Sequence, residues 1–328
     1  MHASGRQAVC AAVLAAAACV AHAAQDPGFP TRPIRFLVPF PPGGSPDIQA
    51  RLLADPLRES LGKPVVIDNR AGANGVVAME IAARAPADGH TMIIGTVGIW
   101  AVHPHLHKLA YNVLTDFAPV IHVATTPGVL AVGPTSAVTS VKELIAFGKQ
   151  NPGKLNYGSA GIGGFGHVCA ELFTSMTGAR MTHVPYKSSV TALSELTTNQ
   201  IQVLFNAAAQ TVPFIKSGRV RAIAVTSATR AAILPDVPTI AEAGVPGYEN
   251  STWTAIGVPR GTPQAIVQHL NKSIAAVLQI PDVQERFATT GGTITGGTPG
   301  EMHAYLKKEL AKYGKLVKEA GIKADSTP

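Results

Sequence analysis

The sequence predicts an α/β protein built as two domains with a ligand cleft between them. Three observations carry that expectation. The chain has 328 residues, of which 46% are apolar, enough for two buried cores. Short apolar runs alternate with segments of helical period, the pattern of parallel βαβ units. Two glycine corners, FPPGGSPD at 40–47 and YGSAGIGGFGH at 157–167, each follow a strand pattern and open a helical one.

At the first corner Ser45 is placed to cap a helix, Pro46 to begin it and Asp47 to complement its positive end. Gly43 and Gly44, next to Pro42, let the backbone approach a bound group and direct N–H donors at it. Such a corner holds an anion without a cationic side chain. A second corner with the same design suggests a small carboxylate gripped from both sides.

In chain order, strands are expected near 34–40, 64–68 and 91–95, with helices at 46–61 and 73–84 between them. Two β-rich runs follow, 117–124 and 128–132, broken by Pro127-Gly128. The rhythm changes there, and a first crossing between domains is expected. Ser140 and Glu143 form a capping-box signature for a helix to about 150. Strands near 155–158, 181–184, 201–206 and 220–226 then alternate with helices at 165–176, 190–197 and 207–217. The Pro-rich passage 234–249 fits no regular element. The chain returns at 251–258, and helices are expected from Thr262-Pro263 to about 278 and from Thr298 to about 319. This assigns residues 24–123 and 252–328 to one domain and 124–251 to the other. In open parallel sheets ligands sit beyond the strands' carboxyl ends, which is where both glycine corners fall.

The N-terminus reads as a signal peptide: Arg6, an Ala/Val-rich run too short to span a bilayer, and Ala21-His22-Ala23 as a small-x-small cleavage site. The cut is expected after Ala23. Arg6 is the one charged residue of that leader, so its loss lowers the formal charge from +7 to +6. An exported, periplasmic protein is the expectation. Cys10 and Cys19 leave with the leader, and Cys169 alone remains, read as a small core residue rather than a nucleophile. Scattered Lys and Arg with 5% aromatic residues argue against nucleic acid as a partner.

Gly161-Ile162-Gly163-Gly164-Phe165-Gly166 matches a dinucleotide fingerprint, but no acidic residue follows at ribose-binding distance. A carboxylate cradle is favoured over a bare turn, and no cofactor is expected. Ser159, next to Ala160, lacks the preceding glycine of a nucleophile elbow and reads as a hydroxyl donor to ligand or loop, or as a turn former. His167 either contacts the ligand or steadies the loop through a backbone hydrogen bond. His103, His105 and His107 alternate in a way that resembles metal ligation, but Pro104 and the absence of nearby acidic or Cys ligands favour a solvated loop, so no metal is expected. Arg70 reads as a structural ion pair before an anion guide. Asn206 follows a strand at the cleft side, is counted among the ligand-binding residues, and is placed to cap the next helix as well. Trp100 is left between covering a ligand and packing at the surface.

Taken together, PIRFLVPFPPGGSPDIQAR (33–51), GKPVVIDNRAGANG (62–75), NPGKLNYGSAGIGGFGH (151–167), THVPYK (182–187), RVRAIAVTSATR (219–230), LPDVPTIAEAGVPGYE (234–249) and the W-x-x-x-G-V-P of 253–259 resemble the Bug receptors. These are extracytoplasmic solute-binding proteins of tripartite tricarboxylate transporters. The resemblance covers nearly the whole mature chain. It implies a type II periplasmic-binding-protein fold with a carboxylate held in the cleft by backbone donors and bridging waters. Carried over, the first loop contributes Pro42, Gly43, Gly44, Ser45 and Asp47; the second contributes Ser159, Ala160, Gly161, Ile162, Gly163 and Gly164, with His167 behind. The implied partners are a small organic mono- or dicarboxylate and the transporter's membrane components, with the receptor acting as a monomer and not as an enzyme. The family usually has Asp where Asn206 and Gln202 stand and Gly where Ser188 stands. The lost acidic groups weaken the case for a ligand amine. The rival expectations are a sensor that presents its ligand to a two-component system and, less favoured, a hydrolase or transferase using Ser159.

Overall fold

The computed structural model describes residues 28–289 and 291–323. The expected leader, its cut after Ala23, Cys10 and Cys19 lie outside the described residues. The described chain opens with β1 (Ile34–Val38), α1 (Ser45–Leu61), β2 (Val65–Asn69), α2 (Val76–Ala83) and β3 (Thr91–Thr96). β1 lies between β2 and β3 and runs parallel to both. A strand with neighbours on each side and helices above and below has no solvent face, so the run IRFLV needs no polar alternation.

β4 (Phe117–Val132) corrects the expected break at Pro127-Gly128, because it is one strand of 16 residues. The reason lies in its partners. Up to Pro127 it pairs with β9 (Ser251–Pro259), and from Gly128 it pairs with β7 (Val203–Ala207) and β8 (Arg221–Val225). Proline removes one ladder donor, which costs least where the neighbour changes. The second half alternates as expected: α4 (Val141–Gln150), β5 (Asn156–Ser159), α5 (Phe165–Thr177), β6 (Thr182–Pro185), α6 (Ser189–Thr197), β7, α7 (Ala208–Lys216) and β8. After β9 come α8 (Gln264–Val277), α9 (Pro281–Thr289), β10 (Thr293–Gly296) and α10 (Pro299–Glu319). The strands follow the order β2-β1-β3-β9-β4-β7-β5-β6, with β8 and β10 also on β4.

Each half of this sheet carries helices on both faces. Phe36, Leu53, Ile256, Leu270 and Phe287 fill one side of the first half, and Trp100, Phe117, Trp253 and Tyr313 fill the other. In the second half Phe173, Phe205 and Tyr248 lie on one face, with Val129, Leu193 and Leu204 on the other. The mixed α/β class is therefore as expected. Cys169 is fully buried, and burial pushes its thiol up to about 12, which leaves it a core residue. Trp100 is also core: it lies against Gly95 and Gly257, with Phe117 edge-on, and neither covers a ligand nor packs at the surface.

Three elements were not foreseen: a π-helical turn at Gly98–Val102 continuing into α3 (His103–Leu106), α9 and β10. The first overturns the solvated-loop expectation for the histidines. His103 is completely buried on a helix, and only His105 is exposed, its Nε2 2.8 Å from the Leu310 carbonyl. Among the described residues, no group of three or more His, Cys, Asp or Glu is gathered as metal ligands would be, and no helix is long and apolar enough to cross a membrane.

Candidate functional site

A cavity lies between the two halves of the sheet. Phe40 to Pro42 and Gly44 to Pro46 line it from the first half; Ser159, Ala160, Gly164 to Gly166 and Asn206 line it from the second. Thr126 on β4 and Thr252, Trp253 and Thr254 on β9 join them. Among the described residues, no Lys, Arg, His, Asp or Glu lines it. Any charge placed there meets only peptide groups, hydroxyls, amides and apolar walls.

Both glycine corners reach this cavity, and they are built alike. α1 begins after Gly44 (φ −69°, ψ 157°) and α5 after Gly164 (φ −69°, ψ 160°), and neither start has a side-chain cap. Ser45 is thus the first residue of α1 and not its cap, which is a correction with a consequence. An uncapped start leaves the leading N–H groups, Ser45 in α1 and Phe165 and Gly166 in α5, without an intrahelical acceptor, and each of these residues lines the cavity. Aligned peptide dipoles add a positive potential of roughly half a unit charge at each start.

The glycine N–H groups themselves turn inward to brace the corners. Gly43 N–H donates to Asp47 Oδ2 at 2.9 Å, and Gly44 N–H to the Pro41 carbonyl at 3.4 Å. In the second corner Gly161 N–H donates to Ser159 Oγ at 3.0 Å, Gly163 N–H to His167 Nδ1 at 3.2 Å and Gly164 N–H to the Gly161 carbonyl at 3.1 Å. Asp47 and His167 are therefore bracing groups behind the cavity wall, each anchoring a glycine. Gly161 and Ile162 face a second, outer groove.

Asp47 also accepts from Asn69 Nδ2 and Arg51 Nε, both at 2.9 Å. Burial works against its charge, but the hydrogen bonds from Arg51, Gly43 and Asn69 prevail and hold the carboxyl below its ordinary range. His167 is buried, and burial together with the neighbouring His183 lowers it to about 3, so it stays neutral and keeps Nδ1 as an acceptor. His183, whose role the sequence did not reveal, stands with Nε2 2.6 Å from Ser159 Oγ and stacks on Tyr157 with ring centroids 4.9 Å apart. Arg70 pairs with Asp68 at 2.8 Å, the structural ion pair expected of it.

Asn206 is not a helix cap. It lies within β7, and Ala207 occupies the cap position of α7. Asn206 is only 5% exposed and lines the cavity, and its Nδ2 has no hydrogen-bond partner among the described residues. A buried unpaired amide costs about 1–3 kcal/mol, which an oxygen acceptor in the cavity would recover. Asn74, Thr126, Gln210, Trp253 and Thr254 also line the cavity without having been singled out. Of these only Asn74 carried a local signal, an Asn set between Gly72 and Gly75, where a left-handed turn is expected.

Comparison with known proteins agrees with this geometry. The Tripartite tricarboxylate transporter family receptor profile, TctC, matches residues 49–322. The R. palustris protein Rpa4515, solved with adipate, is 42% identical, with a TM-score of 0.87, and the match covers 90% of this chain and 99% of that one. MatC from Rhodopseudomonas palustris, solved with malate, is 31% identical with a TM-score of 0.84, covering 88% of this chain and 100% of that one. Protein BugT of Bordetella pertussis is 37% identical over 301 residues, 90% of this chain and 91% of its own. The chain belongs to the TctC, or Bug, family of periplasmic solute-binding receptors.

Proposed function

We propose that this protein is exported to the periplasm, captures a small organic mono- or dicarboxylate in the cavity, and delivers it to the membrane components of a tripartite tricarboxylate transporter. The observation that carries the reading is the pair of uncapped helix starts, at Gly44 and Gly164, meeting at one cavity without a charged lining residue. An anion there is held by main-chain donors that are already in place. Pro42, Gly44, Ser45, Ser159, Ala160 and Gly164 would contact the carboxylate, and Asn206 a more distant oxygen. Gly43, Asp47, Gly161, Ile162, Gly163 and His167 would shape the two corners from behind. The acting unit is a monomer whose domains, 24–123 with 252–328 and 124–251, close over the ligand. That the relatives Rpa4515 and MatC were solved with adipate and malate supports a carboxylate.

Isothermal titration with mono-, di- and tricarboxylates and amino acids tests the reading. One-to-one binding confined to carboxylates is expected, and silence across the panel would overturn it. The contact of Ser159 Oγ with His183 Nε2 at 2.6 Å gives the hydrolase reading its one geometric support. That hydroxyl is already engaged on both sides by Gly161, its N–H at 3.0 Å and its carbonyl at 3.1 Å, which suits a brace better than a nucleophile. Ester turnover lost on Ser159→Ala would reverse that judgement.

A further inference from the structure

We infer that Asn74 is a positioning residue acting across the cavity: its side-chain amide holds the Ile162–Gly163 peptide of the second corner and thereby ties the shape of that corner to closure of the two halves. The inference rests on the receptor reading above and names a residue that governs its affinity.

The Ile162 carbonyl accepts from Asn74 Nδ2 at 3.1 Å, and the N–H of the same peptide donates to His167 Nδ1 at 3.2 Å. One peptide unit is thus gripped at both ends, by one side chain from each half of the molecule. Without the Asn74 grip it turns more easily, because Gly163 (φ 74°) follows it directly and Gly161 (φ 110°) stands one residue before it, both with permissive backbone. Buried His103 stands beside the contact, its Nε2 3.3 Å from Asn74 Nδ2, and closes the space on the first half's side.

The backbone that presents Asn74 is unusual. Gly72 (φ 149°), Ala73 (φ 43°), Asn74 (φ 49°) and Gly75 (φ 96°) are four successive residues of positive φ, and two of them carry side chains. Such conformations persist only where the surroundings impose them, and Asn tolerates this one better than most residues. Gly75 is packed so closely that a Cβ would come within 2.8 Å of Ile99 and 3.1 Å of Pro39, which fixes the turn to the first half. Asn74 also lines both the inner cavity and the outer groove, so it stands where the two meet.

Asn74→Gly separates the amide from the turn, since glycine suits positive φ and the variant keeps the backbone while losing the side chain. Asn74→Asp keeps a turn-compatible residue but sets an acceptor against the Ile162 carbonyl. In the ligand-free full chain, amide hydrogen exchange over residues 159–168 should quicken by roughly 2- to 10-fold in both variants, the range expected for one neutral hydrogen bond. Exchange over 128–132 should not change. With adipate as probe, both variants should raise Kd by a similar factor, chiefly through faster release. Unchanged exchange at 159–168 overturns the inference, as does an acceleration in one variant that the other does not share. Failure of the wild-type protein to bind adipate would count against the receptor reading for that ligand and leave the exchange comparison to decide the role of Asn74.

Discussion

The first glycine corner is held by Asp47, Asn69 and Arg51, all from its own half of the molecule. The second is held by Ser159 and His167 from its own half and by Asn74 and His103 from across the cavity. The helix starts they present match within a few degrees, yet one is braced by a charged network and the other by neutral groups shared between halves. The first is therefore braced within its own half, and the second partly by contacts made across the cavity.

Four changes would break or sharpen that contrast. The largest effect is expected of Gly163→Val. Its φ is 74°, and a Cβ would lie 2.8 Å from both His103 Cδ2 and Leu106 Cδ1, so the side chain meets the opposite half. Backbone strain and overpacking together should weaken carboxylate binding by roughly 100-fold, read by calorimetry, with a smaller change in melting temperature. Asp47→Asn comes next. It removes the charge and replaces one of two acceptor oxygens, Oδ2 serving Gly43 and Arg51 and Oδ1 serving Asn69, and should lower stability by about 1–3 kcal/mol in urea unfolding.

Acidification should separate the corners by pH. The pKa of His167 falls from 6.5 unfolded to about 3 folded, so its contribution is complete above about pH 6.5 and is lost as pH drops toward 3. Asp47, whose folded pKa is depressed, contributes above its ordinary value of 3.8 and is lost only below it. Between pH 6 and 4, exchange protection corrected for intrinsic rate should fall at 161–166 and hold at 43–48. Equal loss at both would contradict the assignment of braces. The smallest effect is expected of Ser140→Ala, which removes the cap that accepts from Glu143 N–H at the start of α4. A loss of about 1 kcal/mol in stability with no change in binding would mark the difference between a capped start and the uncapped ones at the cavity.

Much of this was legible in the sequence because local rules coincide with the fold. The alternation of strands and helices, the helix caps at Ser140 and Thr298, and the two glycine corners were read from spacing alone, and the structure has each, although the full capping box forms at Thr298 while the Glu143 carboxylate accepts from the Thr139 N–H. What escaped depends on contacts between distant segments. Whether Pro127 breaks β4 is decided by where β9 gives way to β7. His103 looks like a loop residue until the π-helical turn before it is seen, and that turn has no start signal of its own. The inward course of the Gly43 and Gly163 N–H groups follows from Asp47 and His167 folding back on them, four residues along, which a reading of glycine as an open donor overlooks.

The absence of any ionisable side chain from the cavity wall bears on how such a protein diversifies. If the acid group of the ligand is recognised by peptide units, that recognition survives nearly every substitution, because all amino acids but proline carry the same amide. Exchanges at Asn206, Gln210, Ser189 or Thr254 can then change which molecule fits without giving up the handle by which it is caught. One scaffold can thus be copied many times and retuned one wall residue at a time.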